Sequence, residues 1–188
     1  GWRAYQVTVD AEFAASRLAS ARSLAERLLA LPGGLEVYAE VSLRLGMVLA
    51  HLGRRDEAAE ALRLAHALDP ERLVTTAEFS PDGVAAFDAA VAARRPSATV
   101  TITATGGATL EVDGRPIGRS PQTVSLTHGQ HVVVARARGR ISRGLAGANG
   151  FDEVVDHDQR AQQEQDAAQR ADHVVGMHRG HGLGERVL

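Results

Sequence analysis

The chain contains no cysteine and no lysine. Without cysteine there is no disulfide framework, no thiol nucleophile and no cysteine-ligated zinc. All strong basic side chains are arginines, beside abundant alanine, glycine, leucine and valine, a usage that points to a GC-rich coding sequence. Aromatic residues make up 4% of the chain, and the formal net charge is −2 at pH 7. A charge so near zero speaks against a strongly basic nucleic-acid binder and against an acidic tail protein. No apolar run is long enough to span a bilayer, so no membrane-spanning segment is expected. The chain opens at Gly1 rather than methionine, as a mature form or a fragment does, and a removed signal peptide would leave no trace.

The first half has helical periodicity. From Ala11 to Leu31, Phe13, Arg17, Leu18, Ala21, Leu24, Ala25, Leu28 and Leu31 recur at helical spacing, which predicts one amphipathic helix with those residues inward. Asp10 is placed to cap it, and Pro32-Gly33-Gly34 to stop it. A second helix is expected over Glu36 to Leu52 and a third over Glu57 to Leu68, joined by Gly53-Arg54-Arg55-Asp56 and followed by Asp69-Pro70. Small residues at Gly46, Ala58 and Ala65, with the larger Leu62 between, predict that these two helices pack closely, Gly46 facing the region of Ala58. A further helix begins at Ser80 as N-cap with Pro81 at its first position, and ends before Pro96. Phe79 and Val84 stand where a hydrophobic staple would place them, and Val84, Phe87, Ala90 and Val91 are expected to dock on the earlier helices.

The second and third helices resemble a tetratricopeptide repeat. The resemblance rests on Leu45, Gly46, Leu49, Gly53, Ala58, Leu62, Ala65 and Pro70, over roughly Ala39 to Arg72, within the family's unit of about 34 residues. The helix before lacks the pattern when shifted back by one repeat. The reading is one clear repeat with a degenerate neighbour, capped by something else because a single unit cannot bury its own apolar face.

At Ser97 the period changes to alternation. Val100, Ile102 and Ala104 point one way and the intervening threonines the other. Gly106-Gly107 turns the chain into a strand over Thr109 to Val112. Asp113-Gly114 then has the composition of a two-residue type I′ hairpin turn. A proline-bearing edge over Arg115 to Ile117, a strand around Thr123 to Leu126 and another over His131 to Arg138 complete the pattern, with His128-Gly129-Gln130 between the last two. The glycines do not lead from a strand into a helix, and no lysine follows, so this is not a phosphate loop.

Ala108, Val112, Asp113, Gly114, Gly118, Pro121, Val124, Leu126, Gly129 and His131 give this part a resemblance to a PEGA domain, a small β module of bacterial surface and envelope proteins. It departs from the family at the namesake tetrapeptide, where Thr105-Gly106 stand in place of proline and glutamate. The resemblance implies a β-sandwich-like fold and an envelope or periplasmic location, with the cytoplasm as the alternative. It implies little about activity.

The expected fold is therefore α+β. Residues 1–96 form a tetratricopeptide-like helical domain, 97–140 a PEGA-like β domain, and 141–188 a polar tail of low order. The strand pattern ends at Gly139, and residue usage changes after Arg138, as either a polar tail or a shift of reading frame would produce. Arg136, Arg138 and Arg140 alternate on one face. Without an aromatic platform they read as a solvated strand face that discourages edge pairing, rather than as a seat for an anionic polymer.

No metal or cofactor is expected. His173, His178 and His181 lie in a glycine-rich stretch without a further ligand at helical spacing. His51 and His66 read as surface or interhelix residues, and His131 as a packing or hydrogen-bonding one. No nucleophile–base pair stands out and GxSxG is absent, so no catalytic residue is expected.

The resulting expectation is a non-enzymatic interaction or envelope scaffold protein. Its helices bind an unknown protein partner, with the helix faces around Arg54, Arg55 and Asp56 and the loops of the β module as candidate contact regions, while the β module is a spacer or surface-binding unit. An envelope polymer is a second candidate partner, and nucleic acid is not one. The alternatives are a carbohydrate- or peptidoglycan-binding module, disfavoured by the lack of any Trp, Tyr or Phe between Ala98 and Arg140, and a regulatory appendage of an enzyme such as a kinase.

Overall fold

In the computed structural model, which describes residues 10–137 and 140–147, Asp10 caps the first helix, α1 (Ala11–Glu26). Its carboxylate accepts a hydrogen bond from the Phe13 amide at 2.9 Å, satisfying one of the first-turn donors. The α-helix ends at Glu26, short of Leu31. The amides of Arg27, Leu28 and Leu31 bond three residues back instead of four. This earlier ending follows from the fold-back onto α2 (Gly34–His51), where Gly34 lies against the Leu28 carbonyl: a Cβ there would come 1.8 Å from that oxygen.

The buried stripe of α1 keeps Leu18 and Ala25 of the expected residues and otherwise differs. Ala11, Ala14, Ala15 and Leu18 pack against Leu45, Val48 and Leu49 of α2, whereas Phe13, Leu24, Leu28 and Leu31 stand exposed. A helix with apolar residues on two sides buries the side that lets its neighbour approach. Three alanines bring the backbones closer than a stripe containing phenylalanine could.

α3 (Arg55–Leu68) returns antiparallel to α2 through Gly53, whose φ of 74° suits a glycine after a helix end. Gly46 meets Leu62 rather than Ala58: a Cβ on Gly46 would lie 2.6 Å from the Leu62 Cγ and Cδ2. Ala58 packs instead in the cluster of Leu45 and Leu49. α4 (Pro81–Ala92) starts as expected, with the Ser80 hydroxyl accepting from the Gly83 amide at 3.2 Å. Phe79, Phe87 and Ala90 join Leu43, Met47, Leu62 and Ala65 in one cluster, while Val91 stays exposed. Gly83 is buried because Met47 sulfur occupies the space a Cβ would need, 2.9 Å away. Arg44 and Arg72 each pair with both Glu40 and Glu78, tying α2 to the segment between α3 and α4.

Beyond Pro96 the chain forms two antiparallel sheets. β1 (Ser97–Ile102) pairs with β4 (Gln122–Thr127). β2 (Thr109–Val112), β3 (Arg115–Arg119), β5 (Gln130–Ala137) and β6 (Arg140–Gly147) form the second sheet in the order β3-β2-β5-β6. Asp113 and Gly114 have φ of 49° and 75°, the positive values that a type I′ turn needs at both central positions. Val100, Ile102 and Leu126 of the ribbon pack on Leu110, Val112, Val133 and Ala135 of the larger sheet.

β5 is buried on both faces, since side chains alternate along a strand. Val133 and Ala135 enter the core between the sheets. Val132 and Val134 enter another, with Ala25, Leu29, Tyr38 and Leu64 of the helical part. The change of secondary structure at Pro96 thus does not separate two cores, and all the described residues fall in one compact unit.

β6 corrects the expectation that the strand pattern ends at Gly139. It pairs with β5 from Ala137↔Arg140 to Gln130↔Gly147. An edge strand is held by its backbone ladder and can form without apolar alternation. The expected tail beyond Gly147, including His173, His178 and His181, lies outside the described residues.

Candidate functional site

The β2–β3 turn carries the most enclosed charged pair among the described residues. Asp113 Oδ2 lies 2.7 Å from His131 Nδ1, and Oδ1 accepts from the Val132 amide at 2.8 Å. His131 Nε2 is 2.8 Å from the Thr127 carbonyl, which can only accept, so that nitrogen carries a hydrogen. With a carboxylate at the other nitrogen, the surroundings favour the protonated ring. The Asp113 hydrogen bond raises its pKa above the ordinary 6.5, against the opposing cost of burial and with help from the Thr127 carbonyl. With side-chain exposures of 9% and 12%, His131 and Asp113 form a latch between the turn and β5, closed to any sizeable substrate.

Arg136 is a second correction. It stays 37% exposed but is not a free surface charge: it reaches across β2 to Glu111 at 3.1 Å and donates to the Ala30 carbonyl at 3.1 Å. Arg22 of α1 makes a parallel bridge, donating to Gln130 at 2.7 Å and to the Tyr38 hydroxyl at 3.3 Å. Both arginines join helix to sheet. Arg54, expected on a contact face, is held by a two-pronged pair with Glu57 at 2.7 and 2.6 Å and remains exposed, as do Arg55 and Asp56.

The glycines and prolines singled out in the sequence serve the backbone. Gly46, Gly53 and Ala58 shape the α2–α3 hairpin, and Pro70 follows its end, exposed. Gly118 has φ of 116°, with the Gln122 amide where a Cβ would stand, and Pro121 follows a cis peptide bond. Gly129, at φ of 144°, admits Arg95: a Cβ there would lie 3.4 Å from the Arg95 Nη1, which donates to the His128 carbonyl at 2.8 Å.

That last contact borders a cavity of about 210 Å³ between α3, the end of α4 and the β4–β5 connection. Arg63, His66, Arg95, His128 and His131 line it, with Glu60 as its acidic residue and Ala90 and Val91 as apolar wall. A second cavity of about 240 Å³, lined by Glu36, Glu40, Asp69, Arg72 and Phe87, also touches His66. The first cavity has no signature in the sequence. Arg63 and His66 share a side of α3, but Arg95 and His128 come from distant elements. Among the described residues no three His, Asp or Glu side chains converge as metal ligands would, and no helix is long and apolar enough to cross a membrane.

Large apolar side chains gather elsewhere. Phe13 and Leu24 share one side of α1, about three turns apart. Leu28 and Leu31 follow in the turns beyond and Val37 on α2, all exposed by 41 to 61%. No family model matches the chain, and no curated protein and no solved structure matches it.

Proposed function

We propose that the chain is a non-enzymatic interaction protein of a bacterial cell envelope, in which the helical part binds a protein partner and the β module stiffens and presents it. The tetratricopeptide-like and PEGA-like readings of the two parts belong to the same proposal. The exposed apolar series Phe13, Leu24, Leu28, Leu31 carries it. A folded chain gains by turning such residues inward, and contiguous exposed apolar surface marks a contact site more often than chance. The charged side chains best placed for chemistry are meanwhile occupied structurally: His131 by Asp113, Arg136 by Glu111, Arg72 by Glu78.

A photo-crosslinking side chain at Leu24 of the full chain, in cells that make the protein, tests the reading. The expected result is a discrete adduct at Leu24, none at exposed Asp88 of α4, and loss of the Leu24 adduct in Phe13→Arg. An adduct of twice the chain mass would identify the partner as a second copy. Diffuse labelling at Leu24, equal to that at Asp88, would overturn the proposal.

A further inference from the structure

The cavity beside Gly129 brings together two arginines that have no reason in the fold to be near each other. Arg63 is half-buried and, among the described residues, makes no hydrogen bond or ion pair. Arg95 is fixed by its bond to the His128 carbonyl, which occupies Nη1 and leaves the rest of its guanidinium fork unspent. His66 lines the cavity too, its ring held edge-on to Phe87 at 5.9 Å between centroids, with its Nδ1 closed off from solvent and without a partner. His131, already paired with Asp113, forms another part of the wall, so its charge is largely balanced. Glu60 is exposed at the rim and is the acidic counterweight to the two guanidinium groups.

Unpaired cations in a partly desolvated space are costly, and the cost is visible at Arg63. Burial first, and the charge of Arg95 second, lower its pKa, while Glu60 and Asp56 offset only part. A planar guanidinium with free N–H groups is the side chain best matched to two oxygens of a phosphate or carboxylate. An oxyanion between Arg63 and Arg95 would relieve their repulsion and use the idle donors, and the space of about 210 Å³ accepts such a group with a few attached atoms.

We propose that this cavity binds a small oxyanion, the phosphate or carboxylate end of a ligand, gripped by Arg63 and Arg95 with His66 and His128 beside it. Gly129 lines the site beside the Arg95 guanidinium. The site shares no residue with the apolar series on α1 and stands or falls separately from the proposed function.

Calorimetric titration of the full chain with inorganic phosphate and with N-acetyl-dialanine, at low ionic strength, tests this. Saturable binding of either probe is expected, weakened about tenfold or more in Arg63→Gln and in Arg95→Gln, as loss of a charge-assisted hydrogen bond implies. Saturation by phosphate alone would assign the ligand a phosphate group, and saturation by the peptide alone a terminal carboxylate. Arg54→Gln removes the same charge at a distant exposed site and should leave affinity unchanged. Arg63→Gln should melt no lower than the parent without ligand, because Arg63 holds no bond in the fold. Arg63→Lys keeps the charge but not the fork, and should bind between the two. Absence of saturable binding by both probes, or equal weakening in Arg54→Gln and Arg63→Gln, would overturn the proposal.

Discussion

Asp113 holds His131 with one carboxylate oxygen and the neighbouring Val132 amide with the other, at 2.7 and 2.8 Å, so a single turn residue favours protonation of a buried ring and fixes the path of β5. Val132 is one of the residues through which β5 packs on the helices. The hairpin turn and the helix–sheet contact are therefore mechanically linked.

The latch gives stability a definite pH dependence. The folded pKa of His131 is raised, so its contribution is complete below the ordinary imidazole value and is lost as pH climbs through the higher folded value. Asp113→Asn keeps an acceptor for the Val132 amide and tolerates positive φ, but withdraws the carboxylate. It should destabilise by about 2 kcal/mol at about pH 5.5, with the gap from the parent narrowing as the solution turns alkaline. Urea unfolding at several pH values measures this. A gap that stays constant across that range would mean that Asp113 does not favour protonation of the ring.

Gly114 at φ of 75° tests the turn itself. Gly114→Val forces a β-branched side chain into the left-handed region and brings its Cβ 3.4 Å from Leu35 Cδ1. Strain on the order of 1–3 kcal/mol is expected. Gly114→Asn should cost much less, since asparagine tolerates that region. Equal melting temperatures for the two variants would contradict the turn assignment.

Gly46 poses two effects of opposite sign. Replacing it with alanine favours the helix by roughly 1 kcal/mol, whereas a Cβ 2.6 Å from Leu62 forces α2 and α3 apart at a cost of about 1–3 kcal/mol. Overpacking should win, so Gly46→Ala destabilises. Leu62→Ala costs stability alone, yet in its background Gly46→Ala should become neutral or favourable. A double-mutant cycle reads this as a coupling, and strict additivity would show that the helices are not in contact there.

β6 makes the end point of the chain matter. Ending the protein at Arg140 removes seven of the eight paired positions that β6 gives β5. At about 0.5–1.5 kcal/mol net for each ladder bond, the melting temperature should fall by several degrees. Ending it after Gly147 keeps the ladder and should melt well above the shorter form. Coincident melting curves for the two would show that β6 contributes nothing.

Local rules were legible without the fold. The Asp10 and Ser80 caps, the Asp113-Gly114 turn and the change of period at Pro96 each depend on residues within a few positions of one another, where side-chain chemistry and φ preference act directly. The mixed α and β class follows from them. Which side of α1 turns inward did not: periodicity finds a stripe, and both the alanine side and the side of Phe13 and Leu24 have one. The neighbour chose the alanines because they allow closer approach.

The rest was decided by tertiary structure. β5 is buried on both faces because helices cover one side and the β1–β4 ribbon the other, and no strand pattern states what will lie above it. Arg136 looked like a surface charge until Glu111 and the Ala30 carbonyl were brought to it. Arg63, His66, Arg95 and His128 acquire a common cavity only when α3, the end of α4 and the β4–β5 connection meet. The helix caps, the β2–β3 turn and most of the elements are set by short-range sterics and hydrogen bonding and can be read from neighbouring residues, whereas the end of α1 at Glu26 and the strand β6 were not. Faces, partners and the cationic cavity depend on which distant residues share a space, and that only the packed chain decides.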